Sequence, residues 1–427
     1  MTYSESLEFL YTQLPVFQRV GASAYKPGLD TSLALDAAFG HPHRQYKCIH
    51  VAGTNGKGST AHTIAAVLQS AGYKVGLYTS PHLVDFRERM RVNGTVIPEA
   101  DVVDFVERYQ SMQLSCSPSF FELTMTMAFE WFAKEGIDVA VVEVGLGGRL
   151  DSTNIISPVL SVITNISFDH TAFLGDTLAA IAGEKAGIIK PSVPVVIGEA
   201  QGEVRQVFET VAKQCSAPIL FAQDEAMYTA AHREGTGWRY EGTPFGSIYG
   251  ELGGACQPYN AATVLTAICV LKRLGWKIDS DAVVTGFGNV CRLTGLMGRW
   301  MCLSNDPMVI CDTGHNIGGW EYIAAQLEEF PGEKIMIIGF VSDKDIAHIL
   351  EIMPRRNVKY TFTQAAISRA MDASQLAEMA ADAGIYGEVE PLVSEAYKKA
   401  LGEVSEGGMI FVGGSTFVVA DLLTWLR

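Results

Sequence analysis

The chain has 427 residues, 48% of them hydrophobic and 19% charged, a composition that builds packed cores and excludes a disordered or fibrous protein. At this length a single core usually stops growing, so two domains are expected. The 47 acidic and 32 basic residues leave a net charge of -15, which repels a polyanion and excludes nucleic-acid binding by bulk charge.

Residues 1–20 carry Glu5 and Glu8 early and have no basic stretch followed by an apolar one, so they do not read as a secretory leader. No apolar run is long enough to span a bilayer. The eight cysteines lack CxxC spacing, and several sit inside apolar runs such as Ile268-Cys269-Val270. Buried thiols in a reducing cytoplasm fit that pattern better than disulfides or zinc. An anionic ligand must therefore meet a locally built site.

In chain order, short β-branched runs bounded by Gly, Pro, Asn or Ser predict strands at 48–52, 75–78, 139–144, 159–164, 195–197 and 218–221. Between them, helices are expected at 60–71, 100–112, 121–134, 178–187 and 203–214. This alternation is the sequence form of a parallel sheet covered by helices, an α/β fold. Residues 228–252, with aromatics and glycines but no helical period, predict a small antiparallel excursion. A helix at 260–274 follows, and the Gly-rich stretch 284–298 reads as a linker. A second alternation then begins, with strands at 309–312, 335–339, 360–363 and 409–412. The domain boundary is placed near Gly298, giving units 1–297 and 298–427.

The first predicted strand runs into Gly53-Thr54-Asn55-Gly56-Lys57-Gly58-Ser59-Thr60 and then a helix. Three glycines let backbone N–H groups curl around a phosphate, Lys57 supplies a cation, and Ser59 or Thr60 offers a hydroxyl to Mg²⁺. The spacing is GxxGKGS rather than GxxxxGK[ST]. A ligand-free βα turn has the same glycines, but the lysine and hydroxyls at the helix start favour nucleotide binding.

This loop resembles the signature of the Mur-type amide ligases and, with its glycine after the lysine, that of folylpolyglutamate synthase/dihydrofolate synthase. Further segments agree in order along the chain: Thr79 to Leu83, Arg87-Glu88-Arg89, Glu143 to Asn154, Asp169-His170, Glu184 to Lys190, Asn260-Ala261-Ala262, Asp343-Lys344-Asp345 and Gly413-Gly414-Ser415. The resemblance implies an N-terminal P-loop ATPase-like domain of the Mur central type and a smaller C-terminal Rossmann-like α/β domain closing over ATP.

Taken alone, Glu143 reads also as a capping or salt-bridged carboxylate, and an isolated His170 reads rather as a satisfied turn histidine. The resemblance places Ser80, Glu143 and His170 at the family's magnesium ligands, implies two Mg²⁺ sites, and implies that Lys185 is carbamylated, a reaction open to a desolvated amine. It also implies Lys57, Lys185 and His170 as catalytic, and Asn260, Arg299, Asp312 and His315 as further ATP contacts. Phe120, Phe121 and Glu122, with Leu29, Asp30, Thr153 and Asn154 as weaker candidates, are implied to contact a pterin. Without the resemblance, Phe120 and Phe121 read rather as ordinary core aromatics at a helix start.

Two departures from the family pattern stand out: Met297-Gly298-Arg299 where it has Pro-Gly-Arg, and Asp312-Thr313-Gly314-His315-Asn316 where it has Asp-Gly-Ala-His-Asn. The implied reaction is ATP-driven joining of L-glutamate to dihydropteroate or to folates, in a cytoplasmic, monomeric protein with neither nucleic-acid nor membrane partners. A Mur-type ligase acting on a cell-wall precursor and a nucleotide-binding module without ligase chemistry are the competing readings.

Overall fold

The computed structural model describes residues 1–16 and 28–427. Its first sheet is built from β1 (Lys47–Ala52), β2 (Val75–Tyr78), β3 (Met90–Val92), β4 (Thr95–Val96), β5 (Val139–Glu143), β6 (Leu160–Ile163), β7 (Val195–Ile197) and β8 (Ile219–Phe221). The strands lie in the order β4-β3-β2-β5-β1-β6-β7-β8. All pairs from β2 to β8 are parallel, and β3 and β4 add an antiparallel edge.

A parallel sheet buried on both faces needs apolar side chains in both directions, and the central strands supply them. In β5, Val139 and Val141 face the helices Lys57–Ser70 and Gln257–Arg273, while Ala140 and Val142 face the helix Phe120–Lys134. Residues 228–252 form the expected antiparallel excursion, with β9 (Ala230–Glu234), β10 (Gly237–Thr243) and β11 (Gly246–Gly250) paired in the order β11-β10-β9. Tyr240 and Ile248 extend the same core.

The stretch 284–298 is not the linker expected from its glycines. It carries most of the helix Ser280–Gly288 and all of Val290–Thr294, both packed on the helix Lys57–Ser70. Gly286 gives the physical reason. A Cβ there would stand 2.6 Å from the Val67 Cα, so the missing side chain lets two helix backbones touch. The residue composition of a flexible joint is here that of a tight helix crossing.

The second sheet comprises β12 (Met301–Asn305), β13 (Met308–Asp312), β14 (Lys334–Ile338), β15 (Val358–Gln364), β16 (Gly387–Leu392) and β17 (Met409–Gly413), in the order β12-β13-β17-β14-β15-β16. Only β12 runs antiparallel to its neighbour. Trp320, Ile323 and Leu327 of the helix Ile317–Glu329 fill one face, and Val418, Val419 and Leu422 of the helix Thr416–Leu426 fill the other. No helix among the described residues is long and apolar enough to cross a membrane.

The helix contact at Gly286 predicts that Gly286→Ala overpacks it and destabilises the protein by about 1–3 kcal/mol. Urea unfolding, compared with Gly183→Ala, whose Cβ would meet nothing within 4 Å, is the measurement that checks this.

Candidate active site

The C-terminal ends of β1, β2, β5 and β6 lie side by side, the edge at which open α/β sheets collect ligands. Beyond β1 the chain turns through Gly53 (φ +142°) and Gly56 (φ +82°), and the helix starts at Lys57. A Cβ on Gly53 would lie 1.9 Å from the Thr164 Oγ1, so only glycine passes there. The loop is pinned from β6: Thr54 N–H donates to the Asn165 carbonyl at 2.9 Å and Asn55 N–H to the Asn165 Oδ1 at 2.9 Å. Lys57 Nζ donates to the carbonyls of Gly53 (3.0 Å) and Thr54 (2.9 Å). Burial lowers the Lys57 pKa, against the pull of Glu143 and Asp169.

Residues 53–59 line a cavity of about 220 Å³ together with Ser80, Glu143, His170, Lys185 and Asn260. Arg299, Asp312 and His315 complete it from beyond residue 297. Thr60 does not line it; it sits one turn into the helix, fully buried. Glu143 is buried at the end of β5, and its Oε2 accepts the Ser80 backbone N–H at 3.2 Å. Burial raises its pKa, with Lys57 opposing. His170 stands at φ +51° before a short helix, and burial lowers its pKa to about 4, so its imidazole is neutral at physiological pH. Lys185, 3% exposed, is held at about 7 by burial, with Lys57 adding to the effect, and no carboxylate pairs with it among the described residues.

A second cavity of about 240 Å³ is more apolar and is lined by Val16, Phe120, Phe121, Leu146 and Leu150, with Arg89 among them. Phe120 stacks on Tyr11 at 5.3 Å, and the Arg89 guanidinium lies 5.1 Å from the Phe120 ring centre. The two cavities share Ser80, Pro81, Gly145, Leu146, His170, His315 and Thr416.

Of the residues expected at a pterin, only Phe120 and Phe121 line this cavity. Glu122 is committed elsewhere, closing a capping box on Ser119 and accepting the Ser32 hydroxyl at 3.2 Å. Leu29 and Asp30 begin the helix Asp30–Ala38. Thr153 is hydrogen-bonded to His50 at 2.8 Å and to Asp151, and the Asn154 amide donates to the carbonyls of Arg149 (3.0 Å) and Gly187 (3.1 Å). Asp151 lines the cavity instead, and its Oδ2 holds the N–H groups of Gly145 and Leu146 at 3.0 and 2.9 Å, shaping the shared wall.

A network that joins the two sheets escaped the sequence reading. Asp169 accepts Lys344 Nζ at 2.6 Å and Asn316 Nδ2 at 2.9 Å, while the Asn55 and Asn316 amides pair reciprocally at 3.1 and 3.0 Å. Burial works to raise the Asp169 pKa, but His315, Lys344 and His170 outweigh it and leave the carboxyl well below its ordinary range. Asp169-His170 and Lys344 were visible as motif segments, yet nothing in their spacing shows that they meet.

Comparison with known proteins agrees with this architecture. Residues 51–268 match the Mur ligase middle domain, and residues 298–416 match the Mur ligase glutamate ligase domain. The dihydrofolate synthase/folylpolyglutamate synthase of Escherichia coli K12 is 34% identical over 384 residues, covering 87% of this chain and 85% of that one. The probable bifunctional folylpolyglutamate synthase/dihydropteroate synthase of Haloferax volcanii is 32% identical over all of this chain, which spans 51% of that relative's length. Among solved structures, the Mycobacterium tuberculosis folylpolyglutamate synthase complexed with ADP superposes with a TM-score of 0.87 at 31% identity, covering 99% of this chain and 98% of the other. E. coli FolC in complex with DHPP and ADP gives 0.83 at 29% identity, covering 100% and 98%. On these matches and the two-sheet architecture that carries them, the chain belongs to the folylpolyglutamate synthase/dihydrofolate synthase family of Mur-type ligases.

Proposed function

We propose that the protein is an ATP-dependent ligase that joins L-glutamate to dihydropteroate, to folyl glutamates, or to both, through an acyl phosphate. The observation that carries this reading is the shared wall at Ser80, His170 and Gly145-Leu146: a phosphate-binding loop opens on one side of it and an aromatic, apolar chamber on the other. A flat acceptor in the chamber presents its terminal carboxylate to a γ-phosphate in the loop. Two relatives support the pairing, since one was solved with DHPP and ADP and another with Mn, AMPPNP and L-glutamate.

In the first step an acceptor carboxylate oxygen bonds to the γ-phosphorus and ADP leaves. In the second the glutamate amine bonds to the acyl carbon, the bond from that carbon to the bridging oxygen breaks so that inorganic phosphate leaves, and the amine sheds a proton. No side-chain nucleophile is required. The barrier is repulsion between anions, and in this reading Lys57, Arg299 and the backbone N–H groups of residues 57–59 at the helix start reduce it. Ser80, Glu143 and His170 fit a divalent cation, because no hydrogen bond among the described residues engages the Glu143 Oε1 and His170 is neutral. When bound, that ion neutralises charge between carboxylate and phosphates.

The Lys185 amine is buried and has no carboxylate partner among the described residues, the state that adds CO₂ at nitrogen with loss of a proton. The resulting carbamate is an anionic ligand suited to a second Mg²⁺. Residues 1–297 hold nucleotide, metal and acceptor in this reading, and 298–427 close over them with Arg299, Asp312 and His315. The protein is read as a cytoplasmic monomer.

ADP release with Mg²⁺, ATP and L-glutamate, run separately with dihydropteroate and with tetrahydrofolate, tests the proposal. Turnover with at least one acceptor that depends on glutamate is the expected result, and none with either transfers the reading to another Mur-type substrate. Lys185→Ala is expected to lower kcat about 10- to 100-fold. Folded Lys185 loses its proton near pH 7 while the unfolded chain keeps it to about 10.5, so between those values the unfolded state binds more protons and stability rises with pH. Urea unfolding at pH 7 and pH 9 should show Lys185→Met gaining less from the higher pH than the parent protein.

A further inference from the structure

The two departures from the family pattern meet at one joint. Gly298 turns the chain with φ +67° into Arg299, and residues 312–314 lie directly against it. Thr313 N–H and Thr313 Oγ1 both donate to the Gly298 carbonyl, each at 3.1 Å. The same hydroxyl accepts from Arg299 Nη1. Asp312 adds two bonds, taking the Trp300 N–H at 2.6 Å and the Gly314 N–H at 2.8 Å. Residues 298–300 are thus stitched to 312–314 by side chains of two consecutive residues.

The glycines on either side of Thr313 are what this stitch demands. A Cβ on Gly298 would stand 2.8 Å from the Thr313 Cγ2, and one on Gly314 would stand 2.3 Å from the Ile323 Cδ1. The threonine methyl takes the space at Gly298, and the Ile323 side chain takes it at Gly314.

The far end of Arg299 reaches the phosphate loop. Its Nη2 lies 3.3 Å from where a Gly58 Cβ would be, so the guanidinium rests on the first turn of the helix that begins at Lys57. A long arginine side chain has many rotamers, and holding it there costs conformational entropy unless a second point fixes it. The Thr313 hydroxyl is that point: it accepts from Nη1 of the guanidinium itself, beside the Gly298 carbonyl that takes the same nitrogen at 3.2 Å, and leaves Nη2 directed at the loop.

We infer that Thr313 is a positioning residue, whose hydroxyl orients Arg299 toward the phosphates of a nucleotide held by residues 53–59. The inference rests on the nucleotide reading of that cavity. Thr313 acts through Arg299 rather than by contact, so its loss is felt in phosphate affinity and disappears when Arg299 is absent.

Isothermal titration with ADP and Mg²⁺ on the full chain tests this. Thr313→Val keeps the shape and removes the hydroxyl, and is expected to weaken ADP binding about tenfold, as for a lost hydrogen bond to a charged group. Thr313→Ser should bind as the parent protein does, and in an Arg299→Ala background Thr313→Val should change nothing further. If valine disturbs folding, read by thermal melting, Thr313→Ala serves in its place. Unchanged ADP affinity in the valine variant, or the same loss with Arg299 absent, overturns the inference while leaving the nucleotide reading intact. A parent protein that does not bind ADP overturns both.

Discussion

A buried carboxylate that cannot stand alone organises the molecule. Asp169 is nearly enclosed, and an isolated charge there would carry a desolvation cost of several kcal/mol. Lys344 and Asn316, both from the second sheet's domain, come to it and, with His315 and the His170 N–H, satisfy it. The same asparagine pairs with Asn55 in the phosphate loop. Meeting the demand of one oxygen pair therefore sets the second domain against the loop, and brings Arg299, Asp312 and His315 to the cavity that the first domain begins. His170, the next residue, is carried into the wall between the two cavities by the same loop.

Around that anchor, burial tunes each charged group in the direction its setting requires. Lys185 and His170 are driven toward neutrality and Glu143 is pushed up, whereas Asp169 is held charged by its partners. A chain with a strongly negative surface can thus receive an anion, because the local balance in the cleft departs from the global one.

The sequence made the first sheet legible where strands are continuous β-branched runs, as in β1 and β5, and hid it where they are not. β3 and β4 are short antiparallel additions, and β16 has an exposed, acidic pattern that no core explains. The stretch 284–298 was misread because glycine marks both loops and close helix crossings, and only the position of Val67 tells them apart. The loop at 53–59 was readable because its glycines, lysine and hydroxyls are adjacent. Asp169 with Lys344, and Asn55 with Asn316, lie 175 and 261 residues apart, and periodicity carries no information at that range. In Ser119-Phe120-Phe121-Glu122 the segment was identifiable, but which side chains face the chamber depends on how the helix starts: the capping box turns Glu122 inward to its own backbone.

The wall common to both cavities has a thermodynamic corollary. Ser80, His170, His315 and Thr416 belong to each chamber at once, so a ligand that stiffens or shifts them in one chamber alters what a ligand finds in the other. Such coupling is reciprocal by necessity: whatever factor the nucleotide lends to the acceptor's affinity, the acceptor returns to the nucleotide's. A thin shared partition makes the two binding equilibria one.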